Sequence, residues 1–263
     1  MRLQPHSGTD YPSDFGHACD LQTLRRAEDT HVDWLYDFAP EIGVSLLCAH
    51  FPRSYLDANR ALDEIDLELI AGAWPLEVAQ SAKVRIGKGL IWRLTDDGTP
   101  IYRRKLDADE VLRRIEQCWR PYHAALASTI AEVHRRHGYC IHINCHSMPS
   151  VAGSHGTAKE GTVYPDFVVG DRDGTTAAPR LTTWVAGFLR ERGYDVAIND
   201  PYKGVELVRR YSNPAEGRHS IQLEINRKLY MDETSFELHA GSTALKTVLK
   251  DLVVQMQVVA PRA

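Results

Sequence analysis

Two short runs of strict alternation constrain this chain more than anything else in it. In Tyr139-Cys140-Ile141-His142-Ile143-Asn144-Cys145-His146, a period of two sends Ile141, Ile143 and Cys145 to one face and His142, Asn144 and His146 to the other. In Ile221-Gln222-Leu223-Glu224-Ile225-Asn226, the same period separates Ile221, Leu223 and Ile225 from Gln222, Glu224 and Asn226. Both read as β-strands with one apolar and one polar face, and such a polar face is either half solvated or lines a site. A glutamate in mid-strand is costly to bury without a partner, which makes Glu224 a candidate functional group. His146 stands where the first run gives way to Ser147-Met148-Pro149-Ser150. That is a strand's carboxyl end, where an open α/β sheet gathers its working residues.

Helical patterns surround these runs. Residues 21–42 read as helical, and Gly43 releases the chain into the apolar run Val44-Ser45-Leu46-Leu47-Cys48-Ala49. Residues 63–106 are interrupted by Gly72, Pro75, Gly87, Gly89, Gly98 and Pro100, and read as a long excursion over the surface. Over residues 107–137, Val111, Ile115, Trp119, Tyr122, Leu126, Ile130 and Val133 share one helical face that Pro121 should kink or divide. Beyond them come a strand at Phe167-Val168-Val169, a helix over 179–192 closed by Gly193, a strand over 194–198, and a last amphipathic helix. That helix carries Leu245, Val248, Leu249, Leu252, Val253 and Met256. Helix followed by strand, repeated, predicts an α/β fold with a mixed, mainly parallel sheet flanked by helices. A length of 263 residues suits one large α/β domain, and no linker-like stretch marks a boundary, so residues 1–263 read as a single domain.

Composition narrows the function classes. A formal charge of -4 with arginines scattered along the chain supplies no basic stripe for a phosphate backbone, so nucleic acid is not an expected partner. No apolar run approaches the ~18 residues of a membrane span, so no membrane association is expected. The five cysteines (Cys19, Cys48, Cys118, Cys140 and Cys145) form no Cys-x-x-Cys pair. They suggest neither a disulfide framework nor a zinc ribbon, and a reducing cytoplasm is the expected location.

Three groups are candidate partners for His146. His6 lies in Pro5-His6-Ser7-Gly8, where small residues let backbone and water come close. The acidic stretch Glu28-Asp29-Thr30-His31-Val32-Asp33 offers carboxylates, although acidic residues also suit a first helical turn by themselves. Glu224 is the third. Two histidines and one carboxylate, with a fourth position left for water, is a recipe for catalytic zinc, and a further carboxylate beside it can move the proton. Arg53 and the pair Asn59-Arg60 follow a strand and suit the bidentate grip of a carboxylate. Lys203 and Arg209, flanking Gly204, add positive charge.

Taken in order, these pieces carry a resemblance. Pro5-His6-Ser7-Gly8, Glu28-Asp29 with Val32-Asp33, Arg53 with Asp57-Ala58-Asn59-Arg60, His146-Ser147-Met148, Gly170-Asp171-Arg172-Asp173-Gly174 and Asn199-Asp200-Pro201-Tyr202-Lys203-Gly204 lead to Gln222-Leu223-Glu224-Ile225-Asn226-Arg227-Lys228-Leu229-Tyr230-Met231-Asp232-Glu233. The set resembles the N-formylglutamate amidohydrolase family from residue 5 to about 233. The resemblance implies a fold similar to zinc carboxypeptidases and the aspartoacylase group. It also implies metal-assisted hydrolysis of N-formyl-L-glutamate to glutamate and formate, a reaction typical of histidine breakdown.

By the same resemblance His6 and His146 are ligands of one zinc ion and Glu224 is the general base. Asn59 and Arg60 hold a small acidic N-acyl amino acid, with Arg53, Arg172, Lys203 and Arg209 as further substrate-binding candidates. The relatives' histidine-x-x-glutamate pattern is broken here by Thr9, so the carboxylate ligand is placed at Asp29, with Glu28 as the alternative. Only Met1 to Gln4 precede Pro5, so the sheet edge beneath His6 is expected to be incomplete. Alternative functions are a deacylase or carboxypeptidase-like hydrolase for another N-acyl amino acid, or an inactive relative that binds an acidic metabolite.

Overall fold

The computed structural model describes residues 2–155 and 158–259. Eight strands occur among them: β1 (Arg2–Gln4), β2 (Leu46–Cys48), β3 (Ile70–Ala71), β4 (Leu106–Asp107), β5 (Cys140–Met148), β6 (Phe167–Gly170), β7 (Val196–Ile198) and β8 (Arg218–Asn226). The helices are α1 (Leu21–Arg25), α2 (Val32–Tyr36), α3 (Ala82–Arg85), α4 (Ala108–Arg114), α5 (Arg120–His137), α6 (Pro179–Arg190), α7 (Glu206–Tyr211) and α8 (Gly241–Val259). Six strands form the main sheet in the order β2-β1-β5-β8-β6-β7, parallel throughout except where β6 meets β8. This is the mixed, mainly parallel sheet that the alternation of helix and strand predicts.

Helices cover both faces. On one face α2, α6 and α8 pack against Ile141, Ile143, Cys145, Ile221, Leu223 and Ile225 in the largest apolar cluster. The amphipathic spacing of α6 buries Leu181, Val185 and Leu189, each worth roughly 1.5–3 kcal/mol when fully removed from water. On the other face Tyr122, Leu126 and Ile130 of α5 and Leu207 of α7 cover Cys140, near the start of β5. All nine residues of β5 are therefore buried, so its polar face is not half solvated.

Four expectations are corrected. Residues 21–42 do not form one helix. Asp20 caps α1 by accepting from the Thr23 backbone N–H at 2.8 Å, and the chain then leaves helical geometry until His31, at φ 64°, reopens it as α2. The carbonyls of Arg26 and Glu28 in that break accept from Arg227 at 3.0 and 2.6 Å, so long-range bonds replace the helical ones. Residues 107–137 are divided by a π-helical turn at Ile115–Trp119, and Pro121 sits in the first turn of α5, where its missing N–H is not needed. Residues 63–106 are not a surface excursion: Leu90, Ile91 and Trp92 are buried with Phe15, Leu56 and Trp119 in a second apolar cluster. The sheet beneath His6 is complete, because β1 pairs with β2 on one side and β5 on the other.

Candidate active site

Parallel pairing of β5 and β8 aligns His142 with Ser220, Asn144 with Gln222 and His146 with Glu224. The two polar faces expected from alternation thus meet as one ladder. His142 Nδ1 lies 2.6 Å from Ser220 Oγ, Asn144 donates to Gln222 at 3.4 Å, and Gln222 Nε2 donates to Glu224 Oε1 at 2.6 Å. Burial pushes His142 down to about 3, so the foot of the ladder is neutral, while its top opens into a cavity at the strands' carboxyl ends.

His6 follows β1 after Pro5 and lies beside His146, with ring centroids 4.6 Å apart. The chain then passes so close to residues 50–51 that a Cβ on Gly8 would lie 2.4 Å from their backbone atoms, which only glycine permits. Asp29 enters from the break between α1 and α2, its backbone N–H donating to His6 O at 3.0 Å. His6 Nδ1 is 3.0 Å from His146 Nδ1 and 3.2 Å from Asp29 Oδ2, and His146 Nδ1 is 2.9 Å from the same oxygen. Three donor atoms converge on one buried point.

This set fits a zinc ion. Ligand bonds of 2.0–2.1 Å in a tetrahedron separate the ligand atoms by about 3.3 Å, close to the three spacings seen. Two facing imidazole nitrogens also require a proton or a cation between them, and any proton on His146 Nδ1 would be released as a cation bound. The carboxylate of Asp29 completes the donor set. Its own pKa, which burial alone would raise, is held well below the usual carboxylate range by the two histidines and Arg53. Its other oxygen accepts from Ser147 Oγ at 3.2 Å and has Arg53 and Arg227 at 3.7 Å. Glu28 points elsewhere, to Tyr11 and Arg25, and does not join the cluster.

The far ring nitrogen of His6 lies 2.7 Å from Asp57 Oδ1, which fixes Nδ1 as the free donor position. Asp57 is fully buried and also accepts from the Asn59 backbone, Trp92 Nε1 and Arg53 at 2.9–3.1 Å, with Arg60 at 3.6 Å. Burial alone would raise its pKa, but Arg60, His6 and Arg53 hold it well below the carboxylate range. Glu224 behaves oppositely. Burial, reinforced by the charge of Asp29, pushes it up to about 6.

His146 and Glu224 line a cavity of about 300 Å³ together with Arg53, Asn59, Arg60, Lys83, Lys88, Trp92, Tyr202, Gln222 and Arg227. Of the residues singled out in the sequence, His146, Glu224, Arg53, Asn59 and Arg60 line this cavity, while His6 and Asp29 sit behind His146. Asn59 also braces the site, lying 3.1 Å from His146 Nε2 and accepting from the Leu207 N–H at the start of α7. Arg172, Lys203 and Arg209 lie outside the cavity lining: their side chains go to Gly204 O, Asp173 and Glu206. Sequence reasoning missed Lys83, Lys88 and Trp92, because they lie in the stretch that reads as surface. Asp57 and Arg227 belong to the family motifs, and their neighbours Asn59, Arg60 and Glu224 were the available signal.

Sheet, cavity and buried polar cluster together define an enzyme of the mixed α/β class. The chain belongs to the N-formylglutamate amidohydrolase family, whose model matches residues 3–231. It is 30% identical to the N-formylglutamate deformylase of Pseudomonas aeruginosa over 256 residues, which cover 95% of this chain and 89% of that protein. The N-formylglutamate deformylase of Pseudomonas putida is 32% identical, with coverage of 95% and 88%. A crystal structure of N-formylglutamate amidohydrolase from Ralstonia eutropha superposes with a TM-score of 0.94 at 47% identity, covering 99% of this chain and 93% of that one. A protein of Agrobacterium tumefaciens with a TM-score of 0.67 and 16% identity shares the fold over 98% and 91% of the two chains. Hydrolysis of an amide C–N bond is the chemistry that the family name denotes, and the chain is a hydrolase of that type.

Proposed function

We propose that this chain is a zinc-dependent amidohydrolase that converts N-formyl-L-glutamate to L-glutamate and formate in a reducing cytoplasm. The observation that carries the reading is the convergence of His6 Nδ1, Asp29 Oδ2 and His146 Nδ1 within about 3 Å of one another, beside Glu224. His6, Asp29 and His146 would hold the ion. A bound zinc supplies Lewis acidity at the formyl carbonyl and lowers the pKa of water.

The remaining work falls to the chain's own groups. Glu224, at about 6, is largely ionised at neutral pH and takes the proton of the attacking water. The same carboxyl then donates that proton to the amide nitrogen as the C–N bond breaks, so that glutamate leaves as an amine and formate remains. Gln222, bonded to Glu224 Oε1, keeps the carboxylate turned toward the reaction. Arg60, with Asn59 and Arg53, binds substrate carboxylate, and Asp57 keeps His6 in the tautomer that leaves Nδ1 free. Arg172, Lys203 and Arg209 are not part of this proposal.

Formate release from N-formyl-L-glutamate, compared with acetate or succinate release from the corresponding acyl glutamates and with cleavage of short peptides, tests the reading. Preference for the formyl compound is expected. Faster cleavage of any of the others would overturn the substrate assignment.

A further inference from the structure

Six cationic side chains line the cavity: Arg26, Arg53, Arg60, Lys83, Lys88 and Arg227. Five already have partners. Arg26 faces Asp97, Arg53 pairs with Asp57, and Lys88 pairs with Asp96 while also donating to His155 O. Arg60 is anchored on Lys88 O and Asn59 O, and Arg227 on the carbonyls of Arg26 and Glu28. Only the Lys83 side chain makes no hydrogen bond or ion pair among the described residues. Its ammonium is partly buried near other cations: burial first, then Arg60, Lys88 and Arg53, push it down to about 8, against the pull of Asp96.

An unpaired cation in that setting gains more from an arriving carboxylate than one already neutralised. The segment that carries it is also tied to Arg60 through Lys88. The Lys88 N–H donates to Lys83 O at 2.8 Å, and Lys88 O in turn accepts from Arg60 Nε at 3.0 Å. Ser81 holds the start of α3 by accepting from the Val84 N–H. Two cations lining one cavity suit a substrate that carries two carboxylates.

We propose that Lys83 recognises the side-chain carboxylate of the substrate while Arg60 takes its α-carboxylate, so that Lys83 sets the preference for an acidic formyl amino acid. This rests on the formylglutamate reading above. The sharpest comparison is N-formyl-L-glutamate against N-formyl-L-glutamine, which has the same shape without the charge. Wild-type protein should prefer the glutamate, and Lys83→Met should reduce that preference by about ten- to a hundredfold, mainly through KM. Lys83→Arg should restore a large part of it.

An unchanged preference in Lys83→Met, or an equal loss on both substrates, would overturn the proposal. If wild-type protein releases formate from neither compound, the activity reading fails instead. Calorimetric binding of the same two ligands to wild type and Lys83→Met then decides the role of Lys83: loss of discrimination supports it and retained discrimination overturns it.

Discussion

Leu223 and Glu224 are adjacent in the chain and live under opposite rules. Leu223 faces the cluster formed with α2, α6 and α8, where it is buried in the same close-packed core as Ile143 and Ile225. Glu224 faces the cavity, and its burial works against it, raising its pKa to about 6 while Gln222 donates to it. The same contrast runs along β5, between Ile143 or Cys145 and Asn144 or His146. One side of the β5–β8 pair stabilises the sheet. The other holds costly polar groups in place, which the stability of the well-packed apolar face offsets.

Substitutions on either face separate the two roles, and the largest effect should come from Glu224. Replacing it with Gln should lower kcat by about 10²–10⁴-fold while the thermal midpoint stays the same or rises, because a strained carboxylate has been removed. Kinetics and calorimetry on one sample check both parts, and undiminished turnover would remove Glu224 as the base. Leu223→Ala should do the reverse, costing about 2–5 kcal/mol of stability with kcat per folded molecule retained. Denaturant unfolding, with activity normalised to the folded fraction, reads it.

A smaller effect is expected one step behind the cluster. Asp57→Asn should weaken zinc binding by about ten- to a hundredfold, measured by competition with a chelator, because His6 loses the carboxylate that fixes its tautomer. Unchanged affinity would show that Asp57 serves the arginines alone.

The smallest effect concerns acid stability away from the site. His123 is buried between Ala58 O and Tyr211 and stacks on Trp119, and burial pushes it down to about 4. Its folded pKa is depressed below the unfolded ~6.5, so its neutral form favours the fold above that pH, and stability falls as pH drops from 6.5 toward 4. By pH 5.5 the loss relative to the plateau above pH 7.5 should be about 1.4 kcal/mol. A His123→Gln variant should show a flatter dependence of stability on pH across that range.

What can be read from the sequence follows the same division. The strand faces of β5 and β8 are legible because alternation is a local property, and the period of two by itself puts His146 and Glu224 on the polar faces of their strands. The mixed parallel sheet follows from the repeated succession of helix and strand. Asp29 is reachable only through its motif, since the break that carries it is made by Arg227, about 200 residues away. Trp92 and Lys83 are invisible because residues 63–106 owe their burial to Phe15, Leu56 and Trp119 rather than to any period of their own. Arg172, Lys203 and Arg209 mislead for the opposite reason: charge close to a motif in the chain is satisfied locally, by Gly204 O, Asp173 and Glu206.

On the proposed reading, His6, Asp29 and His146 bind the ion on which hydrolysis depends. Protein stripped of divalent metal by chelation can be titrated with zinc while formate release from N-formyl-L-glutamate is followed. Activity should be absent at the start, rise to a plateau at one equivalent per chain, and fail to return in His146→Ala. Full formate release from wild-type protein shown to be free of metal would contradict the account.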